Sequence, residues 1–187
     1  MNRPKNDYEY EIINQILLAE LCFDICKLVP IIDGLVSHFF PYFYNLNYST
    51  GIIALNNLLL SKNPNEISLL NFLEKYENQF DQKEKSKVTN FKQQIGELSQ
   101  KLKNILPFNL RHKVAAHRDE KFRHYDFCCA YLSPDYLKEY FSLNISLKRI
   151  FCDFSNFSFT DFPNSRIIEQ VKEILPVLDK RTVQSIR

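Results

Sequence analysis

Apolar residues recur every three or four positions through most of this chain, and that spacing predicts a series of amphipathic helices. The first helix is expected over residues 7 to 29, because Pro30 stops the pattern. Residues 30 to 48 carry an aromatic cluster, F-F-P-Y-F-Y, and predict a loop that packs a corner. Ser49 or Thr50 then suits the N-cap of a second helix. The apolar face of the first helix holds Ile12, Ile13, Ile16, Leu17, Leu21, Ile25 and Leu28.

Prolines and capping residues divide the middle of the chain into further helices. The sequence N-P-N at residues 63 to 65 ends the second helix, and Pro107 ends the fourth. Asn109 suits the cap of a fifth helix, and Ser133 caps a sixth with Pro134 at its first position. The expected apolar stripes are Leu69, Phe72, Leu73, Tyr76 and Phe80 in the third helix, Val88, Phe91, Ile95, Leu98, Leu102 and Ile105 in the fourth, and Leu137, Phe141, Leu147 and Phe151 in the sixth.

The C-terminal region is expected to add one more helix. Residues 152 to 162 alternate aromatic and polar residues, but their Ser and Asn content favours a loop over a short strand. A last helix is expected from about Pro163 until Pro176 bends or ends it. The whole chain has only 3 Gly, which is few for tight hairpins or a glycine-rich phosphate loop. We therefore predict one all-α domain over residues 1 to 187.

Positive charge is concentrated in one part of the chain. Residues 82 to 124 hold eleven Lys and Arg against four Asp and Glu, a net charge of +7 in a chain whose total is only +2. A local positive potential is what gathers an anionic substrate. For residues 83 to 103, a solvated lysine-rich helix face is an equally weighted interpretation.

Cysteine usage and apolar run lengths indicate a cytoplasmic protein. Five Cys is an odd number, and the N-terminal residues lack the apolar core of a secretory segment. The longest apolar runs fall far short of the roughly 20 residues that span a bilayer, so we expect no membrane partner. Cys22, Cys26 and His38 could be imagined as zinc ligands, but a second pair at finger spacing is missing. We expect neither a metal nor a cofactor.

The residues best suited to chemistry lie together at residues 109 to 120, N-L-R-H-K-V-A-A-H-R-D-E. An arginine binds a phosphate through two parallel hydrogen bonds, and a histidine exchanges protons near neutral pH. Arg111 and His117 are six positions apart, which on a helix separates them by about 120° and about 9 Å. A twofold axis beside this helix would bring two copies of each into one groove. This cluster suits phosphodiester chemistry without a metal.

The R-H-K-V-A-A-H run looks like the R-x(4–6)-H signature of the HEPN superfamily. The continuing H-R-D, with the earlier S-T-G-I-I-A-L-N-N-L-L-L and S-L-L-N-F-L, is most similar to its AbiU-like abortive-infection branch. The resemblance covers residues 8 to 130 and leaves 131 to 187 as a C-terminal helical extension. It implies an up-down helical bundle, a metal-independent ribonuclease and a symmetric homodimer that pairs two signature helices.

The resemblance also implies roles for individual residues. Arg111 would hold the scissile phosphate, and His117 would act as general base or acid for attack by the RNA 2′-hydroxyl. His112 would orient both, and Lys113 and Arg118 would contact the RNA backbone. The expected setting is phage defence or a toxin-antitoxin-like system, with an antitoxin protein as a possible partner.

Two other interpretations stay open. The chain could be a non-catalytic HEPN module that binds RNA, a nucleotide or a protein partner through the same cleft. It could also be a structural interaction module, in which Arg111 bridges to a carboxylate such as Glu120 and His117 caps the edge of the core.

Overall fold

The computed structural model of the protein describes residues 4–28, 39–81, 84–105, 134–155, 168–174 and 177. Within these ranges every regular element is a helix, which confirms the all-α prediction. Residues 168 to 174 are also helical, in agreement with the last predicted helix, while its expected start at Pro163 and end at Pro176 lie outside the described residues. The elements are α1 (Lys5–Leu28), α2 (Phe39–Leu60), α3 (Leu69–Tyr76), a 3₁₀ turn (Glu77–Gln79), α4 (Lys85–Ile105) and α5 (Pro134–Ser155).

Four long helices form an antiparallel bundle in which α1 and α4 lie diagonally. Among the described helices, α1 packs mainly on α2 and α5, and α4 packs on the same two neighbours. Phe23 of α1 contacts Tyr48 of α2, and Cys26 further along α1 contacts Tyr44 earlier on α2, so these helices run in opposite directions. The arrangement is the up-down bundle that the apolar stripes predict.

The predicted stripes form the core. All five stripe residues of α3 and its 3₁₀ extension are buried, as are five of the six on α4, with Ile105 packed at its edge. On α1 the prediction holds except that Leu21 and Leu28 are only half-buried. α1 and α2 lie close together at Gly51, where a Cβ atom would meet the Phe23 ring. A residue without a side chain therefore lets these two helices pack closely.

The predicted start of the second helix is wrong. α2 begins at Phe39, so residues 39 to 48 are helical and not a loop. Pro41 falls in the first turn, where a backbone N–H has no intrahelical partner to lose. Thr50 lies inside the helix, and its hydroxyl donates to the Leu46 carbonyl 2.8 Å away. Tyr48, in the segment expected to be a loop, is fully buried.

The sixth predicted helix begins at Pro134 as expected but is longer than expected. α5 continues to Ser155, so residues 152 to 155 are helical, and the loop prediction is wrong for them. The reason is tertiary packing: the Phe154 ring stacks on Phe91 of α4 with centroids 4.0 Å apart and planes 7° apart. The stacking of Phe154 on the buried Phe91 outweighs the weak helix preference of Asp153 and Ser155.

Candidate functional site

The predicted Arg and His cluster lies outside the described residues. Arg111, His112, Lys113, His117 and Arg118 all fall between Ile105, where α4 ends, and Pro134, where α5 begins. The geometry of these five side chains stays a prediction.

The helices that flank the cluster meet at one end of the bundle. Phe91, in the second turn of α4, contacts Phe151 and Phe154 in the last two turns of α5. The buried stripes of both helices continue from there, to Leu102 on α4 and back to Leu137 on α5. The two helices are therefore antiparallel, and the end of α4 lies at the same end of the bundle as the start of α5. We call this the junction end.

The first turns of α2 and the last turn of α1 also lie at the junction end. The Cys26 thiol of α1 donates to the Tyr44 carbonyl of α2 at 3.5 Å. The Lys27 ammonium lies over the ring of Phe141, in the second turn of α5. The helix termini that adjoin residues 29 to 38 and residues 106 to 133 are thus on the same side of the molecule.

A groove with charged walls lies among the described residues. It lies between α1, α5 and residues 168 to 174 and has a volume of about 460 Å³. Lys148 of α5 donates to both Glu20 carboxylate oxygens, at 2.7 and 2.9 Å, and this pair joins α5 to α1. The lining consists of Leu17, Glu20, Asp24, Lys27, Leu28, Lys148, Ile168, Glu169 and Lys172.

The charges of this groove cancel one another. Lys27 donates to Asp24 at 3.3 Å, and Lys172 donates to Glu169 at 2.7 Å. Burial raises the pKa of the Asp24 carboxyl, and the Lys27 charge opposes that rise. Burial likewise lowers the pKa of Lys27, against the attraction of Asp24. Three acids thus face three lysines, and the described lining has no excess charge to hold a phosphate.

Cys22 and Cys26 are packing residues. Both thiols are buried, and burial raises the pKa of Cys22 to about 11 and that of Cys26 still further. A thiolate, which is the reactive and metal-binding form, is therefore disfavoured at neutral pH. Among the described residues, no group of three His, Cys, Asp or Glu could hold a metal ion. His38, the third member of the imagined zinc set, lies outside them.

The sequence analysis missed the buried polar side chain of Asn144. It is fully buried in α5, and its amide donates to the Ile16 carbonyl of α1 at 3.2 Å. The sequence could have predicted its burial, because Asn144 lies on the same helical face as Tyr140, Leu147 and Phe151. The amide joins two helices and lies away from the groove.

Comparisons with known proteins leave the family open. A scan against models of protein families, a search of curated proteins and a search of solved structures each found no match to this chain. None of the described helices combines the length and the apolar character that crossing a membrane requires. The fold therefore defines the class of protein, an all-α antiparallel bundle.

Proposed function

We propose that this chain is a metal-independent endoribonuclease of the HEPN type, which acts on cytoplasmic RNA in phage defence by abortive infection or in a toxin-antitoxin-like system. The observation that carries the proposal is the R-H-K-V-A-A-H run within a stretch of net charge +7. Two features support it: the all-α bundle, and the position of both flanking helix termini at the junction end. Segments that connect the elements of a rigid scaffold often carry binding and catalytic residues.

The proposed chemistry needs only side chains. His117 takes the proton of the RNA 2′-hydroxyl, and the freed oxygen attacks the neighbouring phosphorus. The new P–O2′ bond forms while the P–O5′ bond breaks, and a protonated histidine returns a proton to the 5′-oxygen. Arg111 stabilises the extra charge on the phosphate in the transition state. His112 orients these two residues, and Lys113 and Arg118 hold the adjoining backbone.

A homodimer completes the proposed site. On one helix, Arg111 and His117 would lie about 120° apart, and one helix alone would present too narrow a site for a phosphate and its neighbours. A second copy related by a twofold axis supplies the facing Arg111 and His117, so that one histidine acts as base and the other as acid. Light scattering at micromolar concentration should then give twice the chain mass, and a monomer would contradict this arrangement.

Cleavage of RNA in a chelator tests the proposal. The purified chain should cleave RNA in EDTA and leave a 2′,3′-cyclic phosphate, whereas His117→Ala should lose about 10²–10⁴-fold in rate. His124→Ala is the matched control, since His124 lies outside the R-x(4–6)-H run, and it should retain the wild-type rate. Arg111→Ala should weaken both binding and cleavage. Cleavage that stops in EDTA, or that is unchanged in His117→Ala, contradicts the mechanism.

The second candidate is a non-catalytic HEPN module that binds RNA, a nucleotide or a protein partner. The observation that favours it is the lysine content of α4, five Lys against one Glu, which suits binding without any catalytic group. RNA affinity with a steep salt dependence but no cleavage would select this candidate.

A further inference from the structure

The outward face of α4 is the most basic surface among the described helices. Its lysines are all exposed, and Glu97 is its only acid. Lys92 pairs with Glu77 at 2.7 Å, but no described carboxylate forms an ion pair with the other four. α1, on the diagonal of the bundle, carries five acids against two lysines. The bundle thus has one basic edge and one acidic edge. The lysines of α4 are Lys85, Lys87, Lys92, Lys101 and Lys103.

The lysines of α4 form two rows, one on each side of the helix. At about 100° per residue, Lys85, Lys92 and Lys103 fall within about 20° of one another. This row lies toward α2, because Ser99, on the same side of α4, donates to the Leu59 carbonyl of α2 at 2.8 Å. We call it the α2-side row.

The second row, the α5-side row, consists of Lys87 and Lys101. Lys87 and Lys101 each lie about 160° from Lys85, in opposite directions around the helix, so the row is centred opposite the α2-side row, on the side where Phe91 contacts Phe151 of α5. Lys85 and Lys103 span about 27 Å along the axis, and Lys87 and Lys101 span about 21 Å. Each row therefore follows most of the length of α4.

Three exposed amides and the Glu97 carboxylate occupy the ridge between the rows. Gln93, Gln100 and Asn104 are exposed and point away from the core, which we call the amide ridge. Gln93 donates to Glu97 and Gln100 donates to Asn104, each at 3.1 Å, so both amides keep further donor and acceptor capacity. The only aromatic residue of α4, Phe91, is buried. This face can contact phosphates and hydroxyls but cannot stack on unpaired bases.

Two rows of positive charge on either side of a ridge of hydrogen-bonding groups match the minor groove of duplex RNA. That groove is wide and shallow and displays 2′-hydroxyls between two phosphate backbones. The minor groove of B-form DNA is only about 6 Å wide, too narrow for a helix about 10–12 Å across.

We propose that the outward face of α4 binds duplex RNA across its minor groove, with the α2-side and α5-side rows on the two phosphate backbones and the amide ridge on the 2′-hydroxyls. The inference rests on the proposed function for the choice of RNA as the polyanion. It does not require that the Arg111 and His117 cluster be catalytic.

Binding to a labelled RNA duplex of about 16 base pairs tests the proposal. Fluorescence anisotropy is measured over a range of salt concentrations with the full chain carrying His117→Ala, so that cleavage does not consume the probe. Lys85→Gln with Lys103→Gln, and separately Lys87→Gln with Lys101→Gln, should each reduce the slope of log affinity against log salt by about 2. All four substitutions together should reduce it by about 4.

The matched control changes the same number of exposed lysines elsewhere. Lys138→Gln with Lys172→Gln removes two exposed lysines from outside α4 and should leave the slope unchanged. Gln93→Ala with Gln100→Ala should reduce the preference for duplex RNA over duplex DNA by about tenfold, because two contacts to 2′-hydroxyls are lost.

Two results would overturn the proposal. One is wild-type affinity and salt slope for duplex RNA after all four of these lysines are replaced; the other is duplex DNA or single-stranded RNA bound as tightly as duplex RNA. The same measurements distinguish failure of this surface from failure of the proposed function. RNA binding that depends on α4, in a chain that does not cleave RNA, would contradict the ribonuclease and support this surface. Cleavage with an unchanged KM in the lysine variants would support the ribonuclease and contradict this surface.

Discussion

At the scale of single residues, the two described helical glycines occupy opposite environments. A Cβ atom at Gly51 would lie 2.6 Å from Cε1 of the buried Phe23 ring, whereas one at Gly96 would meet nothing within 4 Å. Glycine in a helix costs about 1 kcal/mol relative to alanine. At Gly96 this cost has no packing benefit, while at Gly51 it allows α1 and α2 to approach closely.

The same substitution at the two glycines should therefore have opposite effects. Gly51→Ala should lower the free energy of unfolding by about 1–3 kcal/mol, because Phe23 is surrounded by core side chains and cannot move aside freely. Gly96→Ala, the matched control, should raise it by about 0.5–1 kcal/mol. Urea unfolding followed by circular dichroism measures both. Equal effects at the two positions would show that helix propensity alone decides.

At the scale of elements, the start of α3 is fixed by side-chain hydrogen bonds. The Ser68 hydroxyl accepts from the Asn71 backbone N–H at 3.1 Å, which satisfies one free donor of the first turn. The Tyr8 hydroxyl of α1 accepts from the Ser68 backbone N–H at 3.3 Å and donates to the Glu66 carbonyl at 3.2 Å. A residue of α1 thus holds the turn that precedes α3.

Ser68→Ala should lower the free energy of unfolding by about 1 kcal/mol, because the first turn of α3 loses its cap inside a buried site. Ser142→Ala provides the control: Ser142 is exposed in the middle of α5, where alanine is the better helix former. In thermal melts, the changes in Tm of the two variants relative to the wild type should have opposite signs. A stable Ser68→Ala protein would indicate that Tyr8 alone orders the turn.

At the scale of the whole molecule, ion pairs join distant parts of the sequence around the groove. Glu20 and Lys148 are 128 positions apart and bond at 2.7 Å, and both side chains are largely shielded from water. Asp24 lies beside them on α1, and burial raises the pKa of its carboxyl. A raised folded-state pKa means that the folded protein holds the proton more tightly than the unfolded chain.

The stability of the fold should therefore respond to pH through Asp24. The contribution of this carboxyl is greatest below its unfolded pKa near 3.8 and is lost as the pH rises through the raised folded value. Asp24→Asn should remove that part of the dependence, so that its urea midpoint changes less between pH 4 and pH 7 than the wild-type midpoint. Glu74→Gln, at an exposed acid, should keep the wild-type profile. An unchanged profile in Asp24→Asn would show that the desolvation of Asp24 is negligible.

Sequence periodicity was sufficient for the class of fold and for most of the core. The stripes of α3 and α4 were predicted residue by residue, because each helix has one continuous apolar face and a polar remainder. The candidate catalytic residues could also be found in the sequence, because Arg111, His112 and His117 lie close together along the chain. In the proposed homodimer, their convergence on one phosphate would depend on contacts across a second copy, which no local pattern encodes.

The tertiary structure decided where helices begin and end. The sequence determined that helices form, since amphipathic spacing is a local property and few glycines interrupt it. It could not determine that α2 begins at Phe39 or that α5 reaches Ser155, because burial of Tyr48 and stacking of Phe154 on Phe91 involve residues far apart in the chain. The two lysine rows of α4 show the same division: the sequence supplies the charges, and the packing of α4 between α2 and α5 decides which way they face.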